Sequence, residues 1–93
     1  MLTLTEQALE IVRKIPNDPR FTLDAGLRIA RRPGAERAPF SVAPADRPRE
    51  GDRVIDVGGG RVFLGPNAQR ELAGSTLDAR ADDRGRVEFL VRA

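Results

Sequence analysis

Cysteine and histidine are both absent from these 93 residues, as are tryptophan and tyrosine. Without thiols the chain forms no disulfide and offers no thiolate site for zinc or an iron–sulfur cluster. Without imidazole it lacks the usual nitrogen ligand and the usual general base near neutral pH. A metal would have to be held by Asp, Glu and carbonyl oxygens, a set that suits hard cations rather than iron clusters. Serine and threonine have no histidine to activate them, so a conventional nucleophile triad is excluded. No cofactor is expected, and the composition argues against an enzyme.

Long apolar runs are missing too, and none approaches the ~20 residues of a membrane span. The start, Met1-Leu2-Thr3-Leu4, has no basic leader, which predicts a cytoplasmic chain. A surplus of charge is also lacking. The sequence pI of about 10.3 overstates the basicity, because the formal net charge is only +2. The pI is high because all the basic residues except Lys14 are arginines, which stay protonated to beyond pH ~12. A nucleic-acid binder would carry a larger surplus on one face, usually with stacking aromatics, so nucleic acid is not the expected partner. What remains is a hydrophobic fraction of 40%, supplied mainly by Val, Leu, Ile and Ala. That suffices for one modest core, so a single domain over residues 1–93 is expected.

Residues 5 to 15 carry a helical period, with Leu4, Ala8, Ile11, Val12 and Ile15 on one face. Thr3 or Thr5 can cap its start, and Pro16 followed by Asn17-Asp18-Pro19 ends it. Leu27 and Ile29, then Phe40 and Val42, alternate as half-buried strands around a polar loop. Pro44 to Asp52 reads as an irregular loop. Arg53 to Val57 and Arg61 to Leu64 flank Gly58-Gly59-Gly60, a hairpin signal, since glycine supplies the positive φ of tight turns. A phosphate loop is the competing reading of this triplet, but that motif needs a longer glycine spacing and a terminal Lys-Ser/Thr. Pro66 opens a short helix and Gly74 closes it; Thr76 to Ala81 and Arg86 to Arg92 form a second hairpin. The expected fold is therefore mainly β, with an N-terminal helix and a short second helix. Its predicted core is Leu4, Ala8, Ile11, Val12, Ile15, Leu27, Ile29, Phe40, Val42, Val54, Val62, Leu64, Leu72, Leu77, Val87 and Phe89.

The most concentrated positive feature runs from Arg28 to Arg53, where arginines outnumber the acids Glu36, Asp46, Glu50 and Asp52. An arginine-lined loop can grip phosphate or a partner's carboxylates bidentately. The plainer reading is that arginine simply replaces lysine as the solubilising residue.

Several stretches, taken in order, bring a family into view: Leu2-Thr3-Leu4-Thr5-Glu6-Gln7-Ala8, Gly26-Leu27-Arg28-Ile29, Asp52-Arg53-Val54-Ile55-Asp56, Gly60-Arg61-Val62-Phe63-Leu64 and Leu72-Ala73-Gly74-Ser75-Thr76-Leu77-Asp78. Over about residues 2 to 80 they resemble the HesB/IscA-type (A-type) iron–sulfur carriers. The resemblance implies a β-sandwich-like or pseudo-barrel domain of short strands with flanking helices. It does not carry over the family's ligands. The family's first cysteine sits in a Gly-Cys-Ser-Gly loop, where this chain has Gly34-Ala35-Glu36-Arg37-Ala38, and nothing here corresponds to the two cysteines of the family's tail. No catalytic, cofactor or metal residue is therefore assigned. The candidate interaction residues are Arg31, Arg32, Glu36 and Arg37. Two functions follow from different classes. One is a non-enzymatic HesB-like adaptor or accessory factor in iron–sulfur assembly that contacts assembly or other cytoplasmic proteins through this loop or a strand edge. The alternative is a small anion- or ligand-binding stress accessory protein unrelated to iron.

Overall fold

The computed structural model describes residues 1–34, 36–37 and 39–92. A two-residue strand, β1 (Thr3–Leu4), precedes helix α1 (Glu6–Lys14), which tightens into a 3-10 turn over Ile15–Asn17. Thr5 is the N-cap, its hydroxyl accepting a hydrogen bond from the Ala8 N–H at 3.3 Å. Thr3, the other capping candidate, instead pairs with Thr76 in a sheet. The same Thr5 hydroxyl donates to Asp78 at 2.7 Å, so the cap also ties the helix start to a distant strand.

Strands β2 (Gly26–Arg31), β3 (Phe40–Ala45), β4 (Arg53–Val57) and β5 (Gly60–Leu64) form one sheet in the order β3-β2-β5-β4. It consists of two hairpins, β2–β3 and β4–β5, joined by the parallel pairing of β2 with β5. Helix α2 (Pro66–Glu71) follows, then β6 (Thr76–Ala81) and β7 (Val87–Arg92). These last two strands make a second sheet with β1, in the order β1-β6-β7. The expected mainly β fold with two short helices is what the chain adopts. Several boundaries move, α1 and β7 by a residue at their starts. Gly60 belongs to β5, leaving Gly58 and Gly59 as the positive-φ turn, and β3 runs on through Pro44. Proline is tolerated there because β3 is an edge strand and needs no further ladder donor.

Helix α1 lies between the sheets, against β5 and β6. Ala8, Val12, Ile15, Leu27, Ile29, Val62, Leu64, Leu72 and Leu77 are buried as predicted, joined by Leu2, Ala25, Ala68 and Ala79. Leu4, Ile11, Phe40, Val42 and Phe89 are half-buried against that core. Two predicted members are surface residues: Val54 is 45% exposed and Val87 43%. The register explains Val54, which stands opposite Phe63 on the outer face of the larger sheet, while Ile55 opposite Val62 faces the core. Val87 stands opposite Ala81 on an edge strand, at the end of the hairpin remote from Leu77, where the sheet outruns the core. Conversely, Phe63 is wholly buried although its strand neighbours Val62 and Leu64 claim the inner face. The strand is central in its sheet, and both its faces are covered.

Candidate functional site

The loop joining β2 to β3 carries the residues singled out from the sequence. Arg31 ends β2 opposite Phe40, and the Arg32 N–H donates to the Pro39 carbonyl at 2.6 Å, closing the loop's neck. Gly34, with φ of 74°, makes a turn that an L side chain would strain. Arg32, Glu36 and Arg37 are exposed on this loop. Ala35 and Ala38, in the stretch matched to the family's cysteine loop, lie outside the described residues.

Arg31 is placed differently from the other candidates. Its guanidinium donates to the Glu71 carboxylate at 2.8 Å, and it lies 5.8 Å from the centroid of the Phe40 ring. It therefore fastens the loop's base to the end of α2 and is less free to engage a partner. No local pattern announces a pair forty residues apart in the chain. The structure thus leaves Glu36 and Arg37 exposed on the loop and Arg32 exposed at its neck, and holds Arg31 at its base.

A second arginine is tied more deeply. Arg28 donates from Nε and one terminal nitrogen to the two Asp52 oxygens at 2.8 and 3.0 Å, and the Arg49 N–H adds a third bond at 2.8 Å. The Asp52 side chain is 0% exposed. Burial pushes its carboxyl up, but the Arg28 hydrogen bond and charge, with the Arg49 N–H, outweigh burial and hold it below the usual carboxylate range. The pair sits on the outer face of the larger sheet, where Arg28 is the register neighbour of Phe63. It pins the loop after β3, and its polar groups are engaged in holding the fold.

A cavity of about 220 Å³ opens elsewhere, between β4, β5, α2 and the first residues. Leu2, Ile55, Leu64 and Leu72 make an apolar floor, with Arg53 and Gln69 as its polar groups. The Gln69 amide donates to the Leu64 carbonyl at 3.2 Å, so it supports the wall. Among the described residues, no group of three or more Asp, Glu, Cys or His is placed to hold a metal ion. No helix among them is long and apolar enough to cross a membrane.

No protein-family model matches the sequence, and no curated protein matches it either. Solved structures do match. A protein from Aquifex aeolicus, determined by solution NMR, superposes with a TM-score of 0.72 at 25% identity, covering 99% of this chain and 90% of its own. IscA, crystallised with a 2Fe–2S cluster, superposes with a TM-score of 0.68 at 20% identity, covering 99% of this chain and 84% of its own. SufA of Escherichia coli, involved in biosynthesis of iron–sulfur clusters, gives a TM-score of 0.73 at 19% identity, covering 98% and 83%. The chain has the HesB/IscA-like fold. It is a divergent version of that fold, built with no cysteine at all. A cluster does not fit the donors this HesB/IscA-like chain presents at the β2–β3 loop. Guanidinium groups have no lone pair to give, and Glu36 offers only hard carboxylate oxygens.

Proposed function

We propose that this chain is a non-enzymatic HesB-like accessory protein of iron–sulfur assembly in the cytoplasm. It contacts assembly proteins and does not itself hold a cluster through cysteine. One observation carries the reading: a cysteine- and histidine-free chain superposes over nearly its whole length on IscA with a 2Fe–2S cluster and on SufA, a biosynthesis factor. A fold kept in shape but stripped of ligands retains surfaces more readily than it retains chemistry, because function resides in the site. The β2–β3 loop, with Arg32, Glu36 and Arg37 exposed on it, is the contact surface, since a rigid β-hairpin presents such loops to partners.

The test has two arms. Anaerobic reconstitution with iron and sulfide is expected to leave the protein colourless, with no stoichiometric iron or sulfide bound. Titration against purified iron–sulfur assembly proteins from the same cell is expected to give a saturable complex with at least one, weakening as salt rises. A stably bound cluster would refute the ligand-free role. Binding of inorganic phosphate with no protein complex would replace the adaptor by the anion-binding alternative.

A further inference from the structure

The edges of the two sheets are not alike. Edge strand β3 contains Pro44 and β1 is two residues long, both recognised ways of keeping an edge from pairing. Edge strand β4 has only five residues, and pairing with a second copy about Ile55 would set Asp56 against Val54 and Arg53 against Val57, leaving its charges without partners. Edge strand β7, Val87-Glu88-Phe89-Leu90-Val91-Arg92, has no proline and no glycine, and four of its six residues are apolar. Val87 and Val91 remain 43% and 36% exposed on the side that bears Leu77 and Ala79. Such an edge is a template for another strand.

We propose that β7 pairs antiparallel with β7 of a second copy of this chain, about a two-fold axis at Leu90. The choice of occupant rests on charge and side-chain register. In an antiparallel pair, residues directly opposite share a face. With Leu90 opposite Leu90 of the second copy, Glu88 stands opposite the second copy's Arg92, and the reverse pair forms by symmetry. Within each chain Arg80 already pairs with Glu88 at 3.0 Å, and Arg92 with Asp78 at 2.8 Å. The new contacts therefore join these into one row of alternating sign: Arg80, Glu88, then Arg92 and Asp78 of the second copy. On the other face Phe89 meets the second copy's Val91. Because Ala79 lies opposite Phe89 and Leu77 opposite Val91, that row is apolar from core to core. Shifting the axis one position to Phe89 keeps side chains on matching faces only by placing Glu88 against Leu90 and Arg86 against Arg92. That arrangement leaves Glu88 without a charged partner across the seam and opposes two like charges, so it loses an attraction and adds a repulsion. The self-complementary register is the isologous arrangement a two-fold dimer requires.

The charges permit a test by mixing. In its own dimer, Glu88→Arg sets two guanidinium groups against each other at each of the paired positions, and Arg92→Glu sets two carboxylates there. Each variant alone is expected to weaken self-association by about tenfold or more in sedimentation equilibrium. An equimolar mixture of the two sets opposite charges against each other at both pairs, and is expected to recover the wild-type association as a heterodimer. A wild type that stays monomeric at high concentration overturns the proposal, as does a mixture that associates no better than its components. Amide exchange on the wild type gives a reading that needs no variant to fold. Protection of the β7 amides should rise with protein concentration while the β3 and β4 edges stay unchanged; a rise shared by every edge, or absent from β7, overturns it. Edge pairing by a different protein would show as β7 protection only in that protein's presence, and would equally overturn the self-paired reading.

Discussion

β5 and β7 each carry a phenylalanine followed by leucine, Phe63-Leu64 in one and Phe89-Leu90 in the other, in a mostly apolar strand that also bears charge. Their surroundings are opposite. β5 has β2 on one side and β4 on the other, with α1 packed on its inner face, and Phe63 on its outer face is wholly buried. β7 has one neighbour, and every residue in it keeps some exposure. Burial in this chain is thus decided by the number of neighbours a strand acquires rather than by its own hydropathy. The larger sheet is finished as a unit, while the smaller one ends on a strand that is apolar but only half covered.

A pair of truncations puts this contrast to its hardest test. Phe63→Ala should cost about 3–5 kcal/mol, because a wholly buried ring leaves a cavity that a central strand cannot collapse to fill. Phe89→Ala should cost only about 1–2 kcal/mol, since a half-buried ring loses less transfer free energy. Urea unfolding of both variants measures the difference, and equal losses would show that β7 is as well covered as β5.

A glycine in each region gives the next step. A Cβ on Gly60 would come within 2.6 Å of Val12 Cγ1 and 3.4 Å of the Arg13 backbone nitrogen, where α1 crosses β5. Gly60→Ala should therefore destabilise by up to ~3 kcal/mol through overpacking. Gly85, in the β6–β7 turn, has nothing within 4 Å of its added Cβ, and only its φ of 79° opposes a side chain. Gly85→Ala should cost about 1 kcal/mol from that backbone strain. Thermal melts of the two variants should rank Gly60→Ala well below Gly85→Ala.

Acid should separate the regions as well. Asp52 lies buried on the larger sheet and Asp82 lies exposed in the β6–β7 turn, yet both carboxyls titrate below the ordinary value of 3.8. For Asp82 the Arg86 N–H is the main cause; for Asp52 the Arg28 bond must first overcome burial. A carboxyl with a depressed folded pKa contributes fully above its unfolded value and loses that contribution as pH falls through the folded one. Asp52→Asn should cost about 1–2 kcal/mol at neutral pH, because it weakens the bonds to a largely buried guanidinium. The gap between wild type and variant should close below about pH 4. Asp82→Asn should show a smaller gap throughout, since water replaces exposed partners. A gap for Asp52→Asn that stays constant into acid would mean that the carboxylate's charge is not what holds the loop.

These contrasts also mark what the sequence could reveal. The period of α1, the Gly58-Gly59 turn, the Pro66 helix start and the β6–β7 turn are local signals, and each lies where the residues predicted it. The parallel pairings β2–β5 and β1–β6 have no local signal, because the partners are distant in the chain. Missing the first hid Phe63, whose burial follows only once β5 is central. An alternation argument assigns one face per strand and so chose Val54, on the outer face, where Ile55 packs on the core. In the candidate loop, exposure of Arg32, Glu36 and Arg37 follows from Pro33 and Gly34 in a polar run. The capture of Arg31 by Glu71 does not, since it depends on α2 returning beside β2.

The least change in stability is expected at the two exposed turns. Replacing Arg31, Arg32 and Arg37 with Ala removes the Arg31–Glu71 pair, whose partners are 40% and 44% exposed, and two side chains at the loop surface. An exposed pair contributes under ~1 kcal/mol, so the melting curve should barely move. Association with an acidic partner should nonetheless weaken, and should weaken further as salt screens what charge remains. Replacing Arg84 and Arg86 in the β6–β7 turn is the control, because Arg86 is likewise engaged, by Asp82 at 3.0 Å, and both are exposed. The control variant should retain the association while matching the first variant in net charge to within one unit. Equal losses from the two turns would mean that binding reads overall charge rather than the β2–β3 loop. If neither variant loses affinity, these arginines serve only to keep the surface hydrated, and the contact surface lies on another face of the molecule.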